Sequence, residues 1–482
     1  MWSVDRLLTW GKEHGAEIVG NLENRAISGF SINTQTLSAG TVFICLKGTQ
    51  QDGHYFVEEA FDKGAAGVMV SRAWFSEQKN KGKNKRQQNL FDPHLMIVVE
   101  DPLSSLQSLA GWHRRSFQCP IIGITGTNGK TTTKEMLSKI LIRRGPVLKT
   151  EGNLNNHIGL PLTLLRLQKE DQAAVLEMGI SRPGDMRLLC EIAKPTMGII
   201  TNIGQAHLEW LGNIEGVAAE KKILFDSMAE GSIVVINGDD PLLQWDGKAS
   251  EKWTYAIENE ADLTATEIEQ HDHKMSFTLA LNKNQKGGGG KMKVILPLLG
   301  THQVYNAMAA STGALALGYE FDEIRSALKD FSAIALRGEV IKWNGATILL
   351  DAYNANPSSM KSALKTLAEY VDVTEGHRKV AVLGDMLELG SMAKSAHKGL
   401  GRQVAQSGID RLIVVGQFSE IVACGAVGEG LRKEAVSVYK NVASLNLAHE
   451  IQEGDVVLIK GSRGMKMEQL LDSLYKVGAL TH

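Results

Sequence analysis

The chain has 482 residues, enough for about three domains of ordinary size. Hydrophobic residues make up 43% and charged residues 22%, with 52 Lys and Arg against 54 Asp and Glu; so even a balance excludes a disordered chain and gives no reason to expect a nucleic-acid partner. Asp5, Arg6, Lys12, Glu13 and Glu17 interrupt the apolar residues between Met1 and Gly20, and no apolar run reaches the roughly 18 residues of a spanning helix, so neither an export signal nor a membrane span is expected and the location expected is cytoplasmic. Cys45, Cys119, Cys190 and Cys424 form no Cys-x-x-Cys pair, which argues against zinc and against a disulfide framework and predicts buried thiols.

In chain order, β-like runs at Gly40–Lys47 and Ala66–Val70 flank a helical stretch from His54 to Lys63, the pattern of a small α/β domain. Between Ser76 and Asp92 lies a polar, Lys-rich insertion centred on 77–88, without apolar period, expected as a mobile surface loop. From Pro120 an apolar strand, Ile121–Ile124, enters a glycine turn and then a helix with Met136, Leu137, Ile140 and Leu141 on one face. Buried-strand patterns follow at Ala173–Leu176, Met197–Ile200 and Ser232–Ile236, spaced by helix-length segments, as in a parallel sheet covered on both faces. The run from Lys286 to Lys291 reads as a flexible hairpin connection. After Arg337 the alternation restarts, with strands expected at Thr347–Leu350, Lys379–Leu383, Arg411–Val415 and Asp455–Ile459, a third, Rossmann-like α/β domain. The expected fold class is thus α/β in three domains, 1–116, 117–335 and 336–482.

The sharpest local signal is Gly123-Ile-Thr-Gly-Thr-Asn-Gly-Lys-Thr131, between a buried strand and a helix. Gly126, Thr127, Asn128, Gly129, Lys130, Thr131 and Thr132 are the expected nucleotide-phosphate contacts. Glycines let backbone N–H groups approach phosphate, a helix N-terminus adds positive potential, the lysine reaches the outer phosphates and the threonine hydroxyl can ligate Mg²⁺. A strict P-loop would place glycine at 124, where Ile124 stands. Glu177 and His207 follow two later strands, at the ends where open parallel sheets gather ligands, and are candidate metal ligands. A histidine so placed is also compatible with a purely structural, hydrogen-bonded role.

Together these residues resemble the Mur ligase family over nearly the whole chain. The resemblance is carried by Phe43–Gly48 and Asp52-Gly-His54, by Gly126–Thr131, Asn153-Leu-Asn-Asn156, Glu177-Met-Gly179, Ala206-His-Leu208 and Asn237-Gly-Asp-Asp240, and by Gly300-Thr-His302 with Asn306 and Arg337-Gly-Glu339. Asp351-Ala-Tyr-Asn-Ala-Asn-Pro-Ser-Ser-Met360, Gly384–Gly390 with His397, and Lys460–Met465 resemble the branch of the family that adds a dipeptide. At Asn33 and Gln35 the family commonly carries an acid and an arginine, and Ile223 stands where the dipeptide-adding branch usually has a glutamate.

The resemblance implies a UDP-sugar-binding first domain, a central ATP-binding domain and a cytoplasmic, monomeric ligase. It would join D-alanyl-D-alanine to a UDP-N-acetylmuramoyl tripeptide through an acyl phosphate, with ATP and Mg²⁺ as cofactors. It further implies catalytic roles for Lys130, Lys221, His207 and Arg337, with Mg²⁺ on Thr131, Glu177 and His207. Adenosine and phosphate contacts fall at Asn306, Arg337, Asp351 and Asn354, and substrate contacts at Asn153, Asn155, Asn156, Asn356, Lys460 and Arg463. It places a carbamate on Lys221 as a further metal ligand, whereas the Glu220-Lys221-Lys222 run read by itself suits a solvated helix face. Two other readings remain open at this point: a sibling ligase that adds one amino acid, and a non-catalytic regulator that binds nucleotide or UDP-muramoyl peptide.

Overall fold

A computed structural model describes residues 2–20, 26–81, 94–247, 251–271, 273–282, 290–370 and 377–475. The chain divides into two compact units, Met1–Gly123 with Arg144–Ile180 and Gly184–Thr196, and Ile124–Arg143 with Ser181–Pro183 and Met197–His482.

In the first unit, β1 (Glu17–Val19), β2 (Gly29–Ser31), β3 (Thr41–Ile44), β4 (Gly67–Ser71) and β5 (Leu95–Val99) form a sheet of order β1-β5-β4-β3-β2, parallel except for β1 against β5. Strands β3 and β5 are buried at every residue, as apolar runs in a covered parallel sheet should be. The helix Pro102–Arg114 starts on Asp101, whose carboxylate accepts from Ser104 N at 2.8 Å, with proline at its first position. Strand β6 (Ile121–Thr125) passes from the first unit into the second at Ile124, and β7 (Val147–Lys149) pairs in parallel with β8 (Ala173–Glu177). The expected loop after Ser76 is in part helical, because the helix Arg72–Lys81 carries on through Glu77 and Lys79; these long polar side chains are good helix formers even without an apolar stripe. The remainder of the Lys-rich insertion, from residue 82, lies outside the described residues.

In the second unit, β9 (Met197–Ile200), β10 (Ile233–Asn237), β11 (Glu251–Ala256) and β12 (Leu263–His271) pair in parallel. Beyond them β13 (Lys274–Leu281) and β14 (Lys291–Leu296) turn antiparallel, an extension the parallel pattern did not predict. β13 and β14 are antiparallel neighbours, and the expected flexible connection between them falls largely on residues 283–289, which lie outside the described ones. The last sheet has the order β15-β16-β20-β17-β18-β19, from β15 (Glu339–Trp343), β16 (Ala346–Asp351), β17 (Lys379–Gly384), β18 (Arg411–Val415), β19 (Val436–Tyr439) and β20 (Val456–Lys460). Only β15 runs antiparallel, and apolar clusters cover both faces. Because β20 lies between β16 and β17, strand order reverses there, and the crevice at their C-terminal ends is the place where open α/β sheets bind ligands.

Among the described residues no helix is long and apolar enough to cross a membrane. All four cysteines are unbridged, but the expectation that all are buried is corrected: Cys45 and Cys190 are buried, Cys119 is half-buried and Cys424 is exposed on the helix Ser419–Gly428.

One packing contact in the first unit is sensitive to acid. His113, 2% exposed, sets its Nε2 3.0 Å from the Leu167 carbonyl, while Nδ1 is buried with no hydrogen-bond partner. Nε2 therefore donates and the ring is neutral. Burial, with the nearby Arg6 cation adding to it, pushes the imidazole from 6.5 down to about 4, against the opposing Leu167 bond. On acidification the unfolded chain takes up this proton first, so the stabilisation is complete above the unfolded value and is lost as the pH falls toward about 4. Native-state hydrogen exchange in the helix Pro102–Arg114 should show wild type losing about 2 kcal/mol more opening free energy than His113→Gln between about pH 7 and about pH 5. Equal losses would remove His113 as the source.

Candidate active site

The phosphate loop is held open by two glycines and tied down by the segment that follows β9. Gly126 has φ +149° and a Cβ there would lie 1.9 Å from Thr201 Oγ1; Gly129 has φ +81° and a Cβ there would lie 2.1 Å from Asn306 Oδ1. Neither position can carry a side chain. Thr127 N donates to Asn202 O at 2.9 Å, Asn128 N to Asn202 Oδ1 at 3.0 Å, and Thr201 Oγ1 to Asn128 O at 2.6 Å. Gly129 begins the helix Lys130–Leu141 without a side-chain cap, so the first turn presents backbone N–H groups and the positive end of the helix dipole to an anion. Thr131 and Thr132 are buried in that turn.

Two lysines converge on one carbonyl. Lys130 Nζ donates to Gly126 O at 2.8 Å and to Thr127 O at 3.1 Å, and Lys221 Nζ reaches the same Gly126 O at 3.1 Å from the helix Ile214–Asp226. Lys221 is 2% exposed, so it is no member of a solvated face; its neighbour Lys222 is the one at the surface, reaching Gln244 O. Burial first, and the Lys130 cation second, hold the Lys221 amine well below the ordinary lysine range against the opposing effect of Glu220.

The loop is also bonded to the start of the helix Pro357–Ala368. Asn128 Nδ2 donates to Ser358 Oγ at 2.7 Å, and Asn356 Nδ2 donates to Asn128 Oδ1 at 2.8 Å. Asn356 at the same time caps that helix through Ser359 N. Asp351 and Lys460, register partners at the ends of β16 and β20, form an ion pair at 2.6 Å, and Lys460 Nζ also donates to Asn354 O at 3.0 Å. His302, half-buried near them, is pushed to about 4, by desolvation first, with Asp351 opposing and Lys460 adding. Asn306 donates to Gln303 Oε1 at 2.9 Å beside Gly129, and the Arg337 guanidinium lies 3.7 Å from the centre of the Tyr353 ring.

A cavity of about 100 Å³ is lined by His207, Asn354, Asn356, Glu388 and Arg463, among others. His207 Nδ1 is 3.0 Å from Glu388 Oε2, and the hydrogen bond from His207 holds the Glu388 carboxyl below its ordinary range despite partial burial. Arg463 pairs with Glu468 at 2.6 Å. A second cavity of about 240 Å³ adjoins it through Leu389.

In the first unit, Asn155 Nδ2 donates to Glu177 Oε1 at 2.8 Å, and Thr150 Oγ1 accepts from Glu177 N at 3.0 Å. Asn156 Oδ1 accepts from Gly159 N at 2.9 Å at the start of the helix Gly159–Leu164, and Asn153 is exposed, its carbonyl accepting from Asn155 N. The second unit thus brings together the phosphate loop, Lys221, Asn306 and Asn356, and gathers Asp351, Asn354 and Lys460 at the sheet crevice. The residues that sequence reasoning missed are Thr201, Asn202 and Gly204, which lace the loop, and Ser358, Tyr353 and Glu388. Ser358, Tyr353 and Glu388 stand inside motifs read from the sequence, but nothing local marks their partners.

Three family models match: the Mur ligase family catalytic domain over 26–110, the Mur ligase middle domain over 124–314, and the Mur ligase glutamate ligase domain over 336–463. The UDP-N-acetylmuramoyl-tripeptide–D-alanyl-D-alanine ligase of Bacillus subtilis is 36% identical over 456 residues, 94% of each chain. The chain belongs to the Mur ligase family. The ligase of the same name from Escherichia coli is 32% identical, over 97% of this chain and 96% of its own. Among solved structures, MurF from Acinetobacter baumannii superposes with a TM-score of 0.83 at 28% identity, over 98% of this chain and 99% of its own. MurF from Thermotoga maritima in complex with ADP superposes with a TM-score of 0.77 at 28% identity, over 93% and 97%. In this Mur ligase the three α/β domains follow the order of the family models.

The residues present fit a nucleoside triphosphate: two glycines that a Cβ would block, an uncapped helix start, and two amines within reach of one carbonyl. Gly129→Ala would place its Cβ on Asn306 and require a left-handed alanine. Titration calorimetry should show at least a tenfold loss of ATP affinity with the circular dichroism spectrum unchanged, and wild-type affinity would rule out the close approach.

Proposed function

We propose that this chain is an ATP-dependent carboxylate–amine ligase that adds D-alanyl-D-alanine to a UDP-N-acetylmuramoyl tripeptide, releasing ADP and phosphate, in building the peptidoglycan precursor. The observation that carries this is the end-to-end match to ligases of that name, covering 94% of both chains in the Bacillus subtilis case. A non-catalytic regulator would have no need to keep Lys130, Thr131 and Glu177, all of which the chain carries.

A carboxylate oxygen is a poor leaving group, so the tripeptide carboxylate attacks the γ-phosphate of ATP, giving an acyl phosphate and ADP. The dipeptide amine adds to the acyl carbon, and the tetrahedral intermediate expels phosphate to leave the amide. Both steps concentrate negative charge, which Lys130 and the N–H groups at the start of its helix neutralise. Magnesium, held by Thr131 and His207, would supply Lewis-acid stabilisation of the phosphate oxygens, and Glu177 is a proposed ligand as well. Lys221 is the proposed carbamate: its buried amine, disfavoured as a cation, adds CO₂ and loses a proton, turning a repelled cation into an anionic oxygen ligand. Asn306, Asp351 and Asn354 position the adenosine, and Arg337 the phosphates. Asn153, Asn155 and Asn156 are proposed contacts of the UDP-linked peptide, and Asn356, Lys460 and Arg463 of the amine side. Domain boundaries at 116/117 and 335/336 belong to this reading, and the three family models fall inside them. So does a cytoplasmic monomer, since ATP and the UDP-linked peptide are both cytosolic solutes.

Phosphate release, with each substrate omitted in turn, tests the reading. It should require ATP, the UDP-linked tripeptide and the dipeptide together, and fall at least tenfold when D-alanine replaces D-alanyl-D-alanine, about 1.4 kcal/mol of discrimination. Equal rates with the two amines would assign the chain to a branch that adds one amino acid, and release without any amine would make it a simple ATPase.

A further inference from the structure

We infer that Glu388 is a positioning residue that orients the His207 imidazole, so that the third domain completes the magnesium site of the second. The inference rests on the ligase reading above. Glu388 Oε2 lies 3.0 Å from His207 Nδ1, and both side chains line the same cavity with Asn354, Asn356 and Arg463. An ionised carboxylate only accepts hydrogen bonds, so Nδ1 is the nitrogen that donates to Glu388, and Nε2 is the one left available to a metal. A metal-binding histidine commonly has its ring fixed in this way by a carboxylate on its other nitrogen.

The backbone on both sides supports the reading. His207 has φ +53° and Glu388 φ +62°, left-handed conformations that cost a residue with a Cβ about 1 kcal/mol or more. The loop carrying Glu388 is fixed at successive residues. Asp385 accepts from Gln417 N at 2.7 Å and Phe418 N at 3.1 Å, Met386 N donates to His397 Nε2 at 3.0 Å, and Leu387 N donates to Ser462 Oγ at 2.9 Å. Past Glu388, Gly390 lies beside Glu209, where a Cβ would sit 3.4 Å from Glu209 Cα, at ordinary contact distance. Together these bonds deliver one carboxylate to one imidazole, and they do so from the domain that carries the amine-side residues to the domain that carries the phosphate loop. The ring is oriented only while the two loops lie together, which links the position of the third domain to the reactivity of the nucleotide site.

A kinetic cycle with a spectroscopic arm decides the matter. Wild type is assayed first with all three substrates, because absence of dipeptide-dependent turnover there would sink the ligase reading and not this pair. Glu388→Ala should lower kcat about 10- to 30-fold and leave the KM for ATP within about twofold, in line with losses on removing a carboxylate behind a metal-binding histidine. Glu388→Gln, which keeps an acceptor at the same reach, should restore kcat to within about threefold of wild type. Added to His207→Ala, Glu388→Ala should cost nothing further. In the unliganded chain, ¹⁵N NMR of His207 should show the Nδ1–H form in wild type and a shift toward the Nε2–H form in Glu388→Ala. Losses that multiply in the double variant, a Glu388→Ala enzyme within twofold of wild type, or an unchanged His207 signal would each overturn the role.

Discussion

Two ammonium groups cannot comfortably share one carbonyl oxygen, and the phosphate loop is arranged so that they must. Lys130 and Lys221 both end on Gly126 O, one from the loop's own helix and one from a helix some ninety residues further along the chain. Each is repelled by the other, and Lys221, being buried, has no water to spread its charge. The conflict is relieved by anionic oxygens from ATP, by an uncharged Lys221, or by conversion of Lys221 to a carbamate. A ligase that must gather triphosphate, a carboxylate and a growing oxyanion has use for such a site, since the Lys130 cation is placed before the substrates arrive.

The close approaches around that point explain why the surrounding segments take the forms they do. Gly126 gives way to Thr201 and Gly129 to Asn306, so the loop wedges between the strand end after β9 and the helix Thr301–Ala316. Asn128 then reaches the capping residues of the helix Pro357–Ala368, and Asn356 bonds to the phosphate loop and to its own helix at once. The Asp351–Met360 segment, which carries the dipeptide-adding resemblance, is therefore bonded to the nucleotide loop in this structure. Loops at the ends of β16, β17 and β20 supply the remaining groups, as the reversal of strand order there would lead one to expect.

Most of the parallel architecture was legible because buried parallel strands are continuous apolar runs: Met197–Ile200 and Arg411–Val415 lie where the pattern put them. The antiparallel extension was harder. In β12 the alternation breaks where the register shifts between Thr266 and Glu269, and Glu267 takes a left-handed turn. In β14 burial alternates, but the sequence Lys291-Met-Lys-Val-Ile-Leu296 follows it only as far as Val294, because Ile295 is apolar and exposed. The phosphate loop was legible since its chemistry is local. Lys221 was reached only through the family resemblance, because a Glu-Lys-Lys run looks solvated until the fold buries its second member. Glu388 stands inside the Gly384–Gly390 motif, but nothing local marks its partner, 181 positions away.

The central claim is that burial beside Lys130 disfavours the charged form of the Lys221 amine and so favours the proposed uptake of CO₂. It is tested most directly by ¹³C NMR of the purified chain equilibrated with ¹³C-bicarbonate near neutral pH. The account predicts a carbamate carbonyl resonance that is present in wild type, disappears in Lys221→Met and persists in Lys222→Met. A wild-type spectrum with no carbamate signal, or a signal that survives Lys221→Met, would contradict it.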